Sequence, residues 1–280
     1  MTVRVTANNS LRQNMLAGRI DLDDDTINVA LIQSTFQPHL SWPDWAATTG
    51  YVFGDIVKAT APNGHAFEAQ NDGTSGGVEP VWAGIPLTPG GGGTIVDATV
   101  TWLDLGINPP LSETQDRGFV TPVTTWVGST GFLLGDFIIP TVVNGHVYEA
   151  TVGGTTAVGE PVFPTDGSTV VDGTVTWLDI GFNPAGDESS GTGYTPGGET
   201  IAASIVNFLN RRATWDGDDI VYSTATVTAR WGQIYKVGTV DLWINPLVGL
   251  VLFNDTPSDV GSVDADFIIK WNVDGILRLF

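Results

Sequence analysis

Two of the chain's three histidines stand in matching stretches, NGHAFEA at residues 63–69 and NGHVYEA at residues 144–150. A histidine close to a glutamate is the pair from which a general base and its orienting carboxylate are built. Asn-Gly before each histidine suits a hairpin turn, because both residues tolerate positive φ. In the strand that follows, successive side chains alternate between faces. His65, Phe67 and Ala69 then share one face and Glu68 takes the other, so His65 and Glu68 do not converge. The same holds for His146 and Glu149. The expectation is a duplicated piece of scaffold, with each histidine packing or hydrogen bonding beside its turn.

Other chemistries fail on composition or spacing. The chain has no cysteine, which excludes disulfides, thiolate zinc sites and cysteine nucleophiles. The acidic run DLDDDTINVALI at residues 21–32 begins like a calcium loop. Its sixth position is Thr26, where the loop needs glycine, and its twelfth is Ile32, where it needs a bidentate glutamate. It reads as an acidic turn into a buried strand. The glycines at residues 90–93 lack the lysine and the helix of a phosphate loop, and neither HExxH nor GxSxG occurs. Glycoside hydrolysis needs two carboxylates facing across a sugar bond. Glu68, Glu79, Asp97 and Asp104 suffice in number, but nothing in their spacing pairs them. No catalytic residue, metal ligand or cofactor is assigned, and a non-enzymatic protein is expected.

The aromatic residues are the remaining candidates. A sugar-binding module uses exposed Trp or Tyr faces as platforms, whereas aromatics at equivalent positions of a repeat also build small cores. Trp102 and Trp177, between Val and Asp on one strand face, read as structural. Trp45, Tyr51 and Trp82 border loops and are the candidate glycan-stacking residues, with Trp126 and Phe132 at the matching places of a second copy. Phe163 stands opposite Trp82 and Phe132 opposite Tyr51, so the second copy is expected to bind sugar less well.

These residues sit in an internal repeat. From Trp45, WAATTGYVFGDIVKATAPNGHAFEAQNDGTSGGVEPVW aligns without a gap on WVGSTGFLLGDFIIPTVVNGHVYEATVGGTTAVGEPVF from Trp126. A shorter loop in the second copy replaces PLTPGGGG, after which VDATVTWLDLGINP matches VDGTVTWLDIGFNP. Residues 42–109 and 122–184 are thus two copies of one small module, joined by a linker at residues 110–121. Turn signals at Gly54-Asp55 and Asn63-Gly64 flank an apolar run, as in a hairpin. In VTW, Val100 and Trp102 point one way, and Thr99, Thr101 and Leu103 the other.

The flanks differ from the modules. Asn9 or Ser10 is placed to cap a short helix carrying Leu11 and Met15, with Gly18 closing it. TINVALIQ, VTARWGQIY, VDLWI, LVGLVLF and DFIIKWNV read as strands, as does IAASIVNFLN in its β-rich setting. The predicted fold is all-β: a discontinuous, jelly-roll-like β-sandwich of residues 1–41 and 185–280 with one N-terminal helix, and two tandem β modules inserted in one of its loops.

Charge narrows the partners. The formal net charge is −20, with 11 Lys and Arg among 280 residues. A nucleic-acid binder needs a basic footprint, so neither nucleic acid nor an anionic membrane surface is expected as a partner. The opening MTVRVTANNS lacks the apolar segment of a secretory signal, and no apolar run approaches the roughly 18 residues of a membrane span. Synthesis in a host cytoplasm is expected.

Two resemblances arise from these segments. The flanks resemble a β-sandwich domain of tailed-bacteriophage virion proteins: a short helix (LRQNMLAGRIDL), an apolar strand (DDDTINVALIQSTF), a Gly-Tyr loop (SSGTGYTPGG), a Trp-to-Tyr strand (TARWGQIYKV) and a closing ADFIIKWNVDGILRL. The resemblance covers about 135 residues and implies a capsid decoration (cement) or head-fibre protein, often trimeric. The modules resemble phage-borne domains distantly similar to chitin- and cellulose-binding modules of the small β type. Trp45, Tyr51, Gly54, Asp55, Val57, Asn63, Gly64, Phe67 and Ala69 carry that pattern, matched in the second copy from Trp126 to Ala150. The resemblances imply a virion location on the capsid exterior, the major capsid protein as partner, a homotrimer, and host-surface glycans as further ligands. A tail-associated carbohydrate-binding adhesion protein is the alternative.

Overall fold

A computed structural model of the chain describes residues 4–7, 11–38, 42–61, 63–84, 91–106, 119, 123–209, 212–240, 243–254, 258–273 and 275–279. The fold is all-β, with one short α-helix, Leu11–Leu16, among the described residues. Leu11 of that helix is fully buried and Met15 packs against the same core. Gly18, at a φ of 66°, ends the helix by donating its N–H to the Met15 carbonyl at 3.0 Å. The candidate caps, Asn9 or Ser10, lie outside the described residues.

The chain divides into two compact units. One spans Gln37–Ser112 with Asp255–Pro257 and holds the first repeat; the other spans Met1–Phe36, Glu113–Asn254 and Ser258–Phe280 and holds the flanks and the second repeat. In the first repeat a four-stranded antiparallel sheet runs in the order Ile56–Lys58, Ala66–Ala69, Val100–Asp104, Thr94–Asp97. The turn signals therefore do frame a hairpin. Val100 and Trp102 are fully buried while Thr101 and Leu103 are half-buried, the alternation expected of the VTW segment. A two-stranded ribbon, Gly50–Tyr51 with Gly73–Thr74, completes this repeat.

The second repeat has the same plan. Its sheet runs Thr169–Asp172, Val175–Phe182, His146–Val152, Phe137–Ile139, Thr124–Thr125, with a ribbon of Gly131–Phe132 and Gly154–Thr155. Thr124–Thr125 joins in parallel. The first repeat reduces that strand to a single parallel bridge, Asp44 to Lys58.

In the flanks, strands from both ends of the chain interleave. The five-stranded antiparallel sheet is ordered Arg4–Ala7, Leu247–Leu252, Trp231–Lys236, Ile27–Ile32, Glu199–Thr200. Its Val29, Leu31, Ile234 and Val251 share one core with Trp215, Tyr222, Val227 and Phe267. The latter four come from a three-stranded sheet (Ile205–Leu209, Arg212–Asp216, Leu277–Leu279) and a long ribbon (Ile220–Ala229 with Val260–Ile269). Burial of each such side chain contributes roughly 1.5–3 kcal/mol.

Three details differ from the sequence reading. VTARWGQIY is two strands, because the chain changes sheets at Arg230. Its N–H donates to the Ile32 carbonyl at 2.9 Å and its guanidinium pairs with Asp259. Residues up to Ala229 pair with the ribbon, and those from Trp231 with the five-stranded sheet. The stretch at residues 201–210 is a strand only from Ile205, since Ala203 turns at a φ of 50°. Within the linker, Phe119 is the one described residue. It is fully buried, stacks on Tyr235 at 4.7 Å, and exchanges hydrogen bonds with Asn245 at 2.9 and 2.8 Å.

Candidate functional site

The residues singled out by the repeat converge, but inwards. Asp97 ends the strand Thr94–Asp97 directly opposite Val100, which places it on the buried face of the hairpin with Trp102. Its Oδ2 accepts the indole N–H of Trp45 at 2.8 Å and of Trp102 at 3.2 Å, and its Oδ1 accepts the Gly76 N–H at 2.8 Å. Asp172 repeats this: Trp126 at 2.7 Å, Trp177 at 3.1 Å and the Ala157 N–H at 2.8 Å. One carboxylate thus ties together the entry segment, the long loop and the last hairpin. Hydrogen bonds to a charged group contribute about 1.5–3 kcal/mol each, so this lock is a large fraction of a small module's stability. A hydroxyl closes the same loop in each copy. Ser75 donates to the Ala46 carbonyl and Thr156 to the Val127 carbonyl, both at 2.7 Å.

The histidines find carboxylates, though not the neighbouring glutamates. His65 Nδ1 lies 2.7 Å from Asp104 Oδ1, and His146 Nδ1 lies 2.8 Å from Asp179 Oδ1. A carboxylate only accepts, so Nδ1 carries the proton of each pair. Each aspartate also takes the N–H of the glycine two residues on, Gly106 or Gly181, at 2.9 Å. Asn63 and Asn144 accept the N–H of His65 and His146, which fixes the turn. The pairs clasp the Asn-Gly turn to the end of the last strand, and His65 is only 4% exposed. Each histidine is hydrogen bonded beside its turn. The two clasps differ at one atom: Asp179 Oδ2 takes the Gly167 N–H at 2.9 Å, whereas Asp104 Oδ2 is buried without a hydrogen-bond partner.

Among the candidate stacking residues, Trp45, Trp82 and Trp126 are buried, at 6, 6 and 8% exposure, and offer no open ring face. Tyr51 and Phe132 are half-buried and set edge-on against Trp102 and Trp177, at 4.9 and 5.1 Å. Trp82 stacks on Phe67 at 4.0 Å and donates its indole N–H to Glu79 Oε1 at 2.7 Å. In the second copy the pair is exchanged for Phe163 on Tyr148 at 4.5 Å. The polar group moves with it: the Tyr148 hydroxyl accepts from Asn144 Nδ2 and donates to the Pro164 carbonyl, both at 2.8 Å. Burial pushes that phenol up to about 12. The smaller Phe163 borders a hollow of about 230 Å³ shared with Asn144 and Glu160.

The four carboxylates that could have served a glycosidase are occupied separately. Asp97 and Asp104 are the lock and the clasp, and Glu68 accepts from Gln70 at 2.7 Å. Glu79 accepts both the N–H and the hydroxyl of Thr60, as Glu160 does from Thr141. Burial acts to raise the Glu79 carboxyl, but the bonds from Thr60 and Trp82 outweigh it and hold the group below its ordinary value. Asp25, in the acidic run, pairs with Lys236 at 2.7 Å. Among the described residues no three His, Asp or Glu side chains gather as a metal site would require.

Sequence reasoning missed a cleft in the unit of the flanks and second repeat. It has a volume of about 440 Å³ and is lined by Gln33, Thr35, Ile139, Asp187 and Glu188 among others. Asp187 ends the 3-10 turn Pro184–Asp187, which Asn183 caps through Ala185. Desolvation raises the carboxyls of both Asp187 and Glu188 above their ordinary values, opposed at Asp187 by a bond to Thr35 and at Glu188 by bonds from Tyr194 and Gly197. No short-range pattern marks Asp187, since its burial arises from tertiary packing. Asp97 and Asp172 did carry a signal, as both copies keep Asp five residues before a buried Trp.

No helix among the described residues is long and apolar enough to cross a membrane. Comparison with known protein families, curated proteins and solved structures finds no match for the chain.

Proposed function

We propose that the chain is a non-enzymatic structural protein of a tailed-phage virion that decorates the capsid exterior, with the flanking strands as the part that meets the shell and the two repeats as rigid spacers. The virion assignment rests on the resemblance of the flanks. The spacer role rests on the repeated lock: Trp45 and Trp102 on Asp97, and Trp126 and Trp177 on Asp172. Both copies spend their large rings and buried carboxylates on internal bonds, the economy of a support and not of a binding face. The partner is the major capsid protein and the assembly a homotrimer. With a net charge of −20, docking relies on apolar contact or a basic capsid patch, because like charge would oppose it.

A second reading, a tail-associated carbohydrate-binding adhesion protein, draws on one feature. Both repeats expose an apolar pair at the same turn, Val52 and Phe53 in one and Leu133 and Leu134 in the other, each at least 59% exposed. Gold-labelled antibody on intact particles distinguishes the two readings. Label spread over the head is expected; label confined to the tail favours adhesion, and unlabelled particles sink both.

A further inference from the structure

The cleft in the unit of the flanks and second repeat has the size of a small-ligand site, about 440 Å³ against roughly 300–1,000 Å³ for such sites. Asp187 is buried in the lining, 4% exposed, with Thr35 as its side-chain partner. Gln33 and Ser190, both exposed, add oxygen atoms at the mouth. Val123, Ile139, Val143 and Pro196 supply apolar walls.

We propose that this cleft binds a primary alkyl-ammonium group, the end of a polyamine or of a lysine side chain, with Asp187 as its counter-charge. Glu188 lies beside Asp187, but its Oε1 already accepts from the Tyr194 hydroxyl at 2.6 Å and the Gly197 N–H at 2.5 Å. Ser189 likewise points inwards to the Thr228 carbonyl. Both bonds to Glu188 fall on one of its oxygens, and Asp187, with Thr35 as its side-chain partner, is the more buried carboxylate of the two. Among the described residues lining the cleft there is no Lys, Arg or His, so none of them offsets a charge that burial disfavours. An incoming cation offsets that cost.

The rest of the lining suits an ammonium on a hydrocarbon stem. Apolar walls accept the methylenes while the charged head reaches polar atoms. An ammonium has three donors and no acceptor, and Asp187, Thr35 and Gln33 provide acceptors. A guanidinium presents a wide planar fork, which a single deep carboxylate matches less well. Among the described residues no three acidic or histidine side chains gather as ligands for a divalent metal. The strong negative charge of the chain also draws cations towards it.

The test uses the full chain, titrated calorimetrically and followed by amide NMR. The probes are 1,5-diaminopentane, N-acetyl-lysine methylamide and its neutral norleucine analogue. One amine per chain is expected to bind, with shifts centred on Thr35, Val143 and Asp187, and the norleucine analogue at least about tenfold weaker. Response to diaminopentane alone names a free polyamine as the source, and response to the lysine analogue alone names a protein side chain; either sustains the proposal. Asp187→Asn should weaken binding at least about tenfold. Should that change disturb the turn, Val143→Lys at the exposed mouth offers a tethered ammonium and should abolish binding in a folded chain. No saturable binding by the unaltered chain, equal binding of the norleucine analogue, or shifts elsewhere would overturn it.

Discussion

Trp45 and Trp102 donate to the same oxygen atom, Oδ2 of Asp97, although they belong to opposite ends of the first repeat. The second repeat rebuilds the arrangement from Trp126, Trp177 and Asp172. Both copies keep this geometry although their loops have diverged, and it ties the entry segment of each module to its last hairpin.

Asp97→Asn must turn an amide group towards either the two indoles or the Gly76 N–H. A donor then faces a donor in a buried site, and the expected loss is about 2–3 kcal/mol. Hydrogen exchange by mass spectrometry on the full chain should show faster exchange throughout residues 45–104. Asp172→Asn should do the same in residues 126–179. Exchange confined to the substituted turn would mean that the lock does not close the module.

The exchange of Phe67 and Trp82 for Tyr148 and Phe163 makes a prediction about coupling. Trp82→Phe removes the bond to Glu79 and some packing, and should cost about 1–2 kcal/mol. Phe67→Tyr alone sets a hydroxyl beneath the stacked indole ring, at similar cost. Together they recreate the second copy's pair, with Asn63 in the place of Asn144. The double variant should be more stable than the sum of its parts by about 1 kcal/mol. A double-mutant cycle from denaturant titrations measures it, and strict additivity would show that the rings do not depend on one another.

The two His–Asp clasps should respond unequally to the same change. In Asp179→Asn the new amide N–H₂ meets the Gly167 N–H, whose acceptor Oδ2 was, and the expected cost is about 1–3 kcal/mol. In Asp104→Asn the amide replaces an oxygen without a partner. Oδ1 still accepts from His65 and Gly106 and no donor meets a donor, so the cost should be smaller than that of Asp179→Asn. Thermal melts of the two variants check this, and equal losses would contradict it.

What the sequence could reveal followed from short-range pattern. Asn-Gly and Gly-Asp turns and the VTW alternation located the hairpins, because turn chemistry and a period of two act over a few residues. The pairing of His65 with Asp104 was hidden, since the strand Ala66–Ala69 meets Val100–Asp104 only through sheet register. Trp45, Trp82 and Trp126 border loops, and that position suggested exposed platforms. Their burial comes from the shared aspartates and from the ring of Phe67, neither of which a loop position discloses. Arg212–Asp216 was passed over because its one apolar anchor, Trp215, sits among polar neighbours.

Acid should affect the two units differently. Asp187 and Glu188 have raised carboxyls because burial disfavours their charge. A carboxyl raised in the folded state contributes stability that is fully present below its unfolded pKa, near 4. That contribution is lost as pH rises through the folded value. The contribution of these two carboxyls to the unit that holds them should therefore grow as pH falls from neutral towards about 4. Glu79, in the first-repeat unit, is lowered, the bonds from Thr60 and Trp82 overcoming its partial desolvation. Its contribution is present above the unfolded pKa and lost as pH falls through the folded value, so that unit gains nothing between pH 7 and 5 and weakens below about 4. Hydrogen exchange across this range, corrected for intrinsic rates, should show slowing around residues 27–36 and 185–197 and none around residues 60–82. Asp187→Asn with Glu188→Gln should remove the slowing; if the doubly substituted chain still slows on acidification, other carboxyls govern this unit.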